Sequence, residues 1–409
     1  MRKLLQINPV LRTTTSTGRI MQEIGDLAIS CGWESFVAYS RGRDGIKSCS
    51  SIIVPIGNKL DVFLHFVATR LFDRHGLASR CATKLFIRKV KKIDPDIIHI
   101  HNIHGYFLNF KILFKYLAEC GKPVVWTVHD CWLFTGHCYH YSSAGCYRWQ
   151  DHCRRCPQKR SFPASFLLDR SERNFRDKRA AFNSVTNLTI VSVSDWMRRE
   201  MSHSFLSGHD FKVIHNGIDL DDFKPSLAVE TKEKYRIGDS HVILGVASIW
   251  SKEKGLDDFY CLSSLLPDDC RIVLVGALPE EYSNRIPSKI IHVKRTGNVR
   301  ELAALYSMAD VLFNATWQDN YPTVNMEAIA CGTPVITYRT GGSVESVVED
   351  TGFVVDQGDL EGVLKCFSII RQKGKENYIS ICRKYAMAHF DKKDRYEDYI
   401  KLYENLTTR

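Results

Sequence analysis

The stretch 316-TWQDNYPTVNMEAIACGTPVIT-337 joins two kinds of sequence. Its end, Pro334 to Thr337, reads as a short apolar strand buried in a parallel sheet. Its start is polar, with Asp319 and Asn320, followed by Pro322 and a short helical pattern that carries Glu327 and closes at Gly332. Proline suits the first turn of a helix, where its missing amide hydrogen costs nothing, and glycine suits the end. Core building needs neither carboxylate. The amides of Thr323 and Val324 at the positive end of such a helix form a ready anion site. Glu327, about one turn on, can accept from vicinal hydroxyls such as those of a ribose, and Asp319 can reach hydroxyls on another part of the same ligand. A phosphate between two sets of hydroxyls describes a sugar nucleotide. The plainer alternative is that Glu327 only caps or salt-bridges.

Outward from this stretch, apolar β-rich runs recur at 3–8, 35–40, 96–101, 123–129 and 188–194, then at 211–216, 241–248, 270–276, 289–293, 310–315, 334–338 and 352–355. Helical patterns such as 19–32 and 298–309 lie between them. The alternation predicts α/β layers around parallel sheets. The two sets of strands, split near 215–225, predict two facing Rossmann-like, doubly wound domains with a cleft between them. The expected division is 1–210, with a cysteine-rich insert at 131–156, then 211–388, then a C-terminal helix over 389–409 that packs back toward the first domain. Ligands in such sheets sit at the carboxyl ends of the strands. That rule selects His99, His101, His129, Asp130, Ser194, Ser248 to Gly255, Gly276, Thr316 to Glu327, Gly341 and Gly342.

The 409 residues are 44% hydrophobic and 25% charged, ordinary for a globular enzyme. No apolar run approaches the roughly 20 residues that cross a bilayer. The basic start meets Asn8-Pro9 before any signal-peptide core develops, so the expectation is a cytoplasmic protein. Charge is uneven: residues 1–215 hold 32 Lys+Arg against 17 Asp+Glu, and the remainder 24 against 29. A basic front half attracts phosphate, on nucleic acid, lipid or substrate, unless it is simply a solvated surface. The basic amphipathic stretches 80–92 and 170–182 are candidates for resting on an anionic inner-membrane surface, or are ordinary surface helices.

Five of the 14 cysteines fall within 131–156. Cys138, Cys146, Cys153 and Cys156 end in a CxxC knuckle, with His137, His140 and His152 nearby. In a reducing compartment such a set suits a structural Zn²⁺ better than disulfides. The other reading is a group of free, partly buried thiols.

Six segments in order give the chain a resemblance. Asp319-x7-Glu327 followed by AIACGTPVI resembles the E-x7-E signature of retaining glycosyltransferases of the GT-B fold, family 4. HNGIDLDDFKP (215–225) is similar to that family's junction, KEKGLDDF (252–259) to its phosphate-binding KG segment, and TGGSVESVVEDTGFVV (340–355) to its GG-x-x-E stretch. DPDIIHIHN and VVWTVHD resemble its first-domain strands. The HDCWLFTGHC insert and the DNYP turn look most like transferases of surface-polysaccharide assembly, the colanic acid type.

The resemblance implies transfer of a sugar from a UDP- or GDP-sugar to a lipid-linked glycan acceptor, in capsule, exopolysaccharide or O-antigen synthesis, with no cofactor needed for catalysis and no nucleic-acid partner. It implies Lys254 on the donor diphosphate, Glu327 on the ribose, Asp319 and His129 near the reacting sugar, and Gly18 and Arg19 on a substrate loop. Thr323, Val324, Asn320 and Glu345 complete the expected donor site. Three departures stand out. Asp319 is one methylene shorter than the usual glutamate. Ser248 and Ile249 occupy the positions where an arginine usually precedes the KG lysine, leaving Lys252 as a substitute. The first loop reads STGR rather than a double glycine. Asp94-Pro95-Asp96 precedes its strand and Asp219-Leu220-Asp221 lies in the junction, so neither suits a metal-dependent transferase, and both read as turn or cap residues. Another GT-B enzyme, such as a sugar-nucleotide epimerase or a phosphorylase, remains an alternative. So does a basic, zinc-containing nucleic-acid binder, though it leaves the carboxylate helix and the KG segment without a purpose.

Overall fold

The computed structural model describes residues 1–12, 16–42, 48–227 and 229–408; Arg409, the end of the expected C-terminal helix, lies outside them. The chain forms two compact units, Met1–Ile214 with the residues from Tyr396 onward, and His215–Arg395. Among the described residues, no helix is long and apolar enough to cross a membrane.

The first unit runs β1 (Lys3–Ile7), α1 (Ser16–Ser30), β2 (Glu34–Tyr39), β3 (Ile52–Pro55), α2 (Lys59–Phe72), α3 (Arg80–Ile93), β4 (Ile97–Ile100), α4 (Phe110–Cys120), β5 (Val124–Val128), α5 (Ser171–Phe182), β6 (Leu188–Ser192), α6 (Asp195–Ser202) and β7 (Asp210–Val213). Its sheet has the order β3-β2-β1-β4-β5-β6-β7 with parallel pairings throughout. The order reverses between β1 and β4, which makes that edge the crevice of a doubly wound sheet. The central strands are apolar on both faces because helices cover both: β4 and β5 are buried at every position.

Two features of this unit depart from the sequence reading. Residues 211–213, expected to open the second domain, pair with β6 and complete the first sheet. The strand β3 was not expected; it lies at the sheet edge, has one buried residue in four and ends on Pro55, so it lacks the apolar run that marks the others.

The second unit continues with α7 (Val229–Lys234), β8 (His241–Ile249), α8 (Leu256–Leu265), β9 (Cys270–Ala277), α9 (Glu280–Ser283), β10 (Ile290–Val293), α10 (Val299–Met308), β11 (Val311–Asn314), α11 (Thr323–Ala330), β12 (Val335–Tyr338), β13 (Gly352–Val355), α12 (Leu360–Lys373), α13 (Glu376–His389) and the start of α14 (Lys392–Thr407). Its parallel sheet repeats the same winding, β10-β9-β8-β11-β12-β13, with the reversal between β8 and β11.

From Tyr396 on, α14 belongs to the first unit. Tyr396, Tyr399, Ile400, Leu402 and Tyr403 share a buried cluster with Leu4, Ile24, Ile97 and Val125. Three phenols anchor it. Tyr396 donates to Glu23 at 2.7 Å, Tyr399 accepts from Thr127 at 3.0 Å, and Tyr403 lies 2.7 Å from Nδ1 of His99. Each phenol brings a large apolar area to the core while its oxygen keeps a partner.

Candidate functional site

The reversal between β8 and β11 places two loops side by side at the carboxyl edge of the second sheet. The first follows β8 as a tight turn over Lys252–Lys254 and enters α8 through Gly255. Gly255 has φ +75°, and a Cβ there would lie 2.2 Å from the carbonyl oxygen of Ala315, so only glycine lets the loops approach. The second loop, between β11 and α11, is tied to the first. The Trp317 amide donates to Glu253 O at 2.8 Å, and its indole Nε1 to Asp258 at 2.7 Å.

This approach brings Lys254 and Asp319 together. Nζ donates to Oδ2 at 2.8 Å, with the side chains 41% and 22% exposed. A partly solvated pair is worth only about 0–1 kcal/mol, so it can exchange for a stronger partner. Lys252 and Ile249 are exposed and give the turn no second buried cation.

Pro322 occupies the cap position of α11, with ψ 124°, rather than the first helical position expected for it. It fixes the turn into the helix, and its own side chain makes no capping hydrogen bond to the first turn, which Thr323 and Val324 begin. Glu327 lies one turn further in and is 7% exposed. Tyr306 of α10 donates its phenol to Glu327 Oε2 at 2.8 Å. Burial, and then the Glu327 charge, push that phenol well above its ordinary range, so it stays a donor. Asn325 is buried beside them. It accepts from Asn314 at 2.8 Å and donates to Ser343 and Ser346 at 3.1 and 3.0 Å, which ties α11 to the 3₁₀ turn Gly341–Ser346. Asn320 is 5% exposed. Tyr321 stacks on His215 with ring centroids 4.8 Å apart at 13°, and Glu345 lies 3.7 Å from the same imidazole. Asn325 and Tyr321 fall inside the 316–327 stretch that the strand-end rule selects, but Tyr306 and His215 are not singled out as site residues, because each acts through a partner distant in the chain.

In the first unit, His129 follows β5 at the carboxyl edge, next to the reversal of that sheet. It stacks on His101 with centroids 5.6 Å apart, and the two rings approach to 3.4 Å between Nε2 and Nδ1. His101 in turn meets Gln6 at 3.1 Å, and Gln6 donates to Met21 O of α1. Burial lowers His129 to about 4 and holds His99 at about 3. Both rings are therefore neutral near pH 7. The next residue, Asp130, accepts from His104 at 2.6 Å and caps the turn through the Trp132 amide.

Gly18 and Arg19, expected on a loop, lie in the first turn of α1, and Gly18 is buried. The buried stripe Ile20, Met21, Ile24 and Ala28 begins immediately after them and draws the STGR segment into the helix. Cys138, Cys146, Cys153 and Cys156 line one pocket together with His137, and all are free thiols.

Two doubly wound parallel sheets, the second carrying a lysine–carboxylate pair beside an uncapped helix start, define the GT-B class. Residues 240–369 match the family described as Glycosyl transferases group 1, and residues 50–222 match Glycosyltransferase Family 4. WcaC of Escherichia coli (strain K12), named as a candidate colanic acid biosynthesis glycosyl transferase, is 23% identical over 98% of this chain and 100% of its own length. The sucrose-phosphate synthase of Thermosynechococcus elongatus has the same fold, with a TM-score of 0.72 and 14% identity over 100% of both chains. So does Anabaena HepE in complex with UDP, with a TM-score of 0.71 and 14% identity over 99% of this chain and 100% of its own. The chain carries a Glycosyltransferase Family 4 domain followed by a Glycosyl transferases group 1 domain, has the GT-B fold, and is a glycosyltransferase.

Proposed function

We propose that the chain is a retaining glycosyltransferase that moves a sugar from a UDP- or GDP-sugar to a lipid-linked oligosaccharide in surface-polysaccharide assembly. The observation that carries this reading is the Lys254–Asp319 pair beside the uncapped start of α11, with buried Glu327 one turn behind. In the donor complex the diphosphate replaces Asp319 as the partner of Lys254 and takes the amides of Thr323 and Val324, a stronger, charge-assisted set. Asp319 is then free to accept from hydroxyls of the transferred sugar. Glu327, its carboxylate oriented by Tyr306, accepts from the ribose hydroxyls, and Asn320 and Glu345 complete the donor site. His129, neutral, serves near the reacting sugar. The chemistry needs no metal: Lys254 and the helix start offset the charge that develops on the leaving phosphate, and the acceptor attacks on the face from which that phosphate departs. HepE, crystallised with UDP and with UDP-glucose, and the colanic acid name of WcaC support the donor and the pathway class.

A thermal-shift screen against UDP-, GDP- and ADP-sugars tests the reading. One nucleotide series is expected to raise the melting temperature in a concentration-dependent way, because a ligand that binds only the folded state stabilises by mass action. Indifference to all three rejects it.

The first unit is proposed to rest on an anionic inner-membrane surface. On the stretches 80–92 and 170–182, α3 turns Phe86 and Val90 inward and α5 buries Phe175 and Phe182, while Leu85 and the basic side chains Lys84, Arg88, Lys89, Arg173 and Arg176 stay exposed and can offer charge to such a surface. Beside them, α2 exposes Leu60, Phe63 and Leu64 by 62%, 60% and 56%, and Phe166 and Leu167 are exposed by 56% and 62%. The Phe166 amide donates to Arg70 O at 2.7 Å and joins that loop to the end of α2. An apolar surface bordered by Lys59, Arg70 and Arg74 matches the interface of an anionic bilayer. The variant Phe63→Asp/Leu64→Asp is expected to abolish co-flotation with vesicles containing anionic lipid. Equal flotation of variant and parent, or none by the parent, removes the membrane contact.

A further inference from the structure

The segment from Cys131 to Arg170 has no α-helix or strand among its described residues, only 3₁₀ turns at Cys131–Leu133, Ser142–Ala144 and Arg148–Gln150. A connection of this length inside a compact unit needs something to hold it. Within it, Cys138, Cys153 and Cys156 face one pocket with His137. The Gly136 amide already donates to the Cys153 sulfur at 3.2 Å, and Cys138 is buried.

His137 supplies the second, independent sign. Its ring is fully enclosed, and Nδ1 lies 2.7 Å from Oδ1 of Asp73, which is also fully enclosed. The other Asp73 oxygen accepts from the Arg170 amide at 2.8 Å, and the Asp73 carbonyl from Asn174 at 2.9 Å, so the carboxylate is fixed. It holds the Nδ1 hydrogen. That leaves Nε2 buried, with no hydrogen-bond partner among the described residues. A buried polar atom left without a partner costs about 1–3 kcal/mol. A carboxylate that pins one imidazole nitrogen while the other stays open is the arrangement that orients histidine toward a metal.

We propose that this pocket is a soft-metal site in which the thiolates of Cys138, Cys153 and Cys156 and Nε2 of His137 hold one Zn²⁺. Thiolate and imidazole donors are those zinc takes in structural sites, at roughly 2.3 and 2.0–2.1 Å. On binding, the three thiols release three protons, and nothing is oxidised or reduced. Among the described residues, no three of these donors are gathered within 4.8 Å of one another, so the ion itself closes the set by drawing in the CxxC knuckle. Cys146 lines the same pocket but can remain a neutral thiol at little cost, whereas a partnerless Nε2 cannot. The buried amine of Lys178, bonded to the carbonyls of Trp132 and Thr135 at 2.6 and 2.9 Å, offsets the negative charge of a three-thiolate site. The site uses none of the residues assigned to the donor sugar, so its fate is independent of that reading.

Elemental analysis of the full chain, purified under reducing conditions without added metal, is expected to give about one zinc per chain. Exchange for Co²⁺ is expected to give thiolate charge-transfer absorption and the intense visible bands of a tetrahedral ion. Asp73→Asn is expected to weaken zinc affinity by about 10–100-fold. Cys146→Ser should keep stoichiometric zinc and His137→Ala should lose it. If His137→Ala fails to fold, stripping the parent chain with a strong chelator gives the second readout, an expected fall in melting temperature. Absence of stoichiometric zinc, an unchanged melting temperature after stripping, or loss of zinc with Cys146→Ser but not with His137→Ala overturns the proposal.

Discussion

Replacing Lys254 with alanine is expected to lower sugar transfer by about 10²–10³-fold, the usual cost of removing one fixed charge or donor from a developing anion. Stability should hardly change. The Lys254 side chain is 41% exposed, and its partner Asp319 is solvated enough to stand without it. An exposed pair contributes about 0–1 kcal/mol, so the melting curve of Lys254→Ala should stay close to that of the parent. Asp319→Asn separates the two halves of the pair. It removes the carboxylate that neutralises the lysine before donor binds while leaving Lys254 for the diphosphate. Nucleotide diphosphate alone should therefore bind Asp319→Asn at least as well as the parent, while transfer falls. Steady-state rates with the donor found by thermal shift, and calorimetric titration with the free nucleotide, measure both arms. Near-normal turnover by Lys254→Ala shows that the charge acts elsewhere.

The parts of the fold that the chain advertises are those set by local pattern. A strand buried on both faces must be apolar at successive positions, and β4, β5, β8 and β12 are readable for that reason. The edge strand β3 escapes because one face meets solvent and its run is short. Strand β7 is visible as a strand but was assigned to the wrong sheet. Pairing is a long-range property, and DFKV carries no mark of its partner Thr189 to Ser192. The same division holds at the candidate site. Asp319 and Glu327 stand out because their spacing around Pro322 has no use in a core. Tyr306 lies 21 residues before the carboxylate it contacts, and His215 is over a hundred residues from Tyr321. The apolar face of α2 was hidden for a third reason. KLDVFLHFVATRLF is apolar nearly all round, so its pattern does not tell the buried side from the one that shows Phe63 and Leu64.

Glu327→Ala should act on binding more than on chemistry. A carboxylate that accepts from ribose hydroxyls does so in the ground state and the transition state alike, and uniform binding of that kind appears in KM. A hydrogen bond to a charged group is worth about 1.5–3 kcal/mol, which converts to a rise of roughly 10–150-fold in the donor KM with kcat changed far less. Tyr306→Phe is the positioning control. The phenol donates to Glu327 Oε2 at 2.8 Å and does not reach the donor in this reading, so its loss leaves the carboxylate present but less firmly held. The expected result is a smaller rise in donor KM, together with a stability loss of about 1.5–3 kcal/mol for one buried hydrogen bond to a charged group. The Ala substitution at Glu327 also relieves Tyr306 of an acceptor, so melting curves of both variants are needed to separate binding from packing. If Glu327→Ala instead loses kcat at an unchanged KM, the carboxylate works at the reacting bond and the ribose assignment fails. If neither parameter moves, Glu327 is a structural partner of Tyr306, and the helix start with Lys254 holds the donor without it.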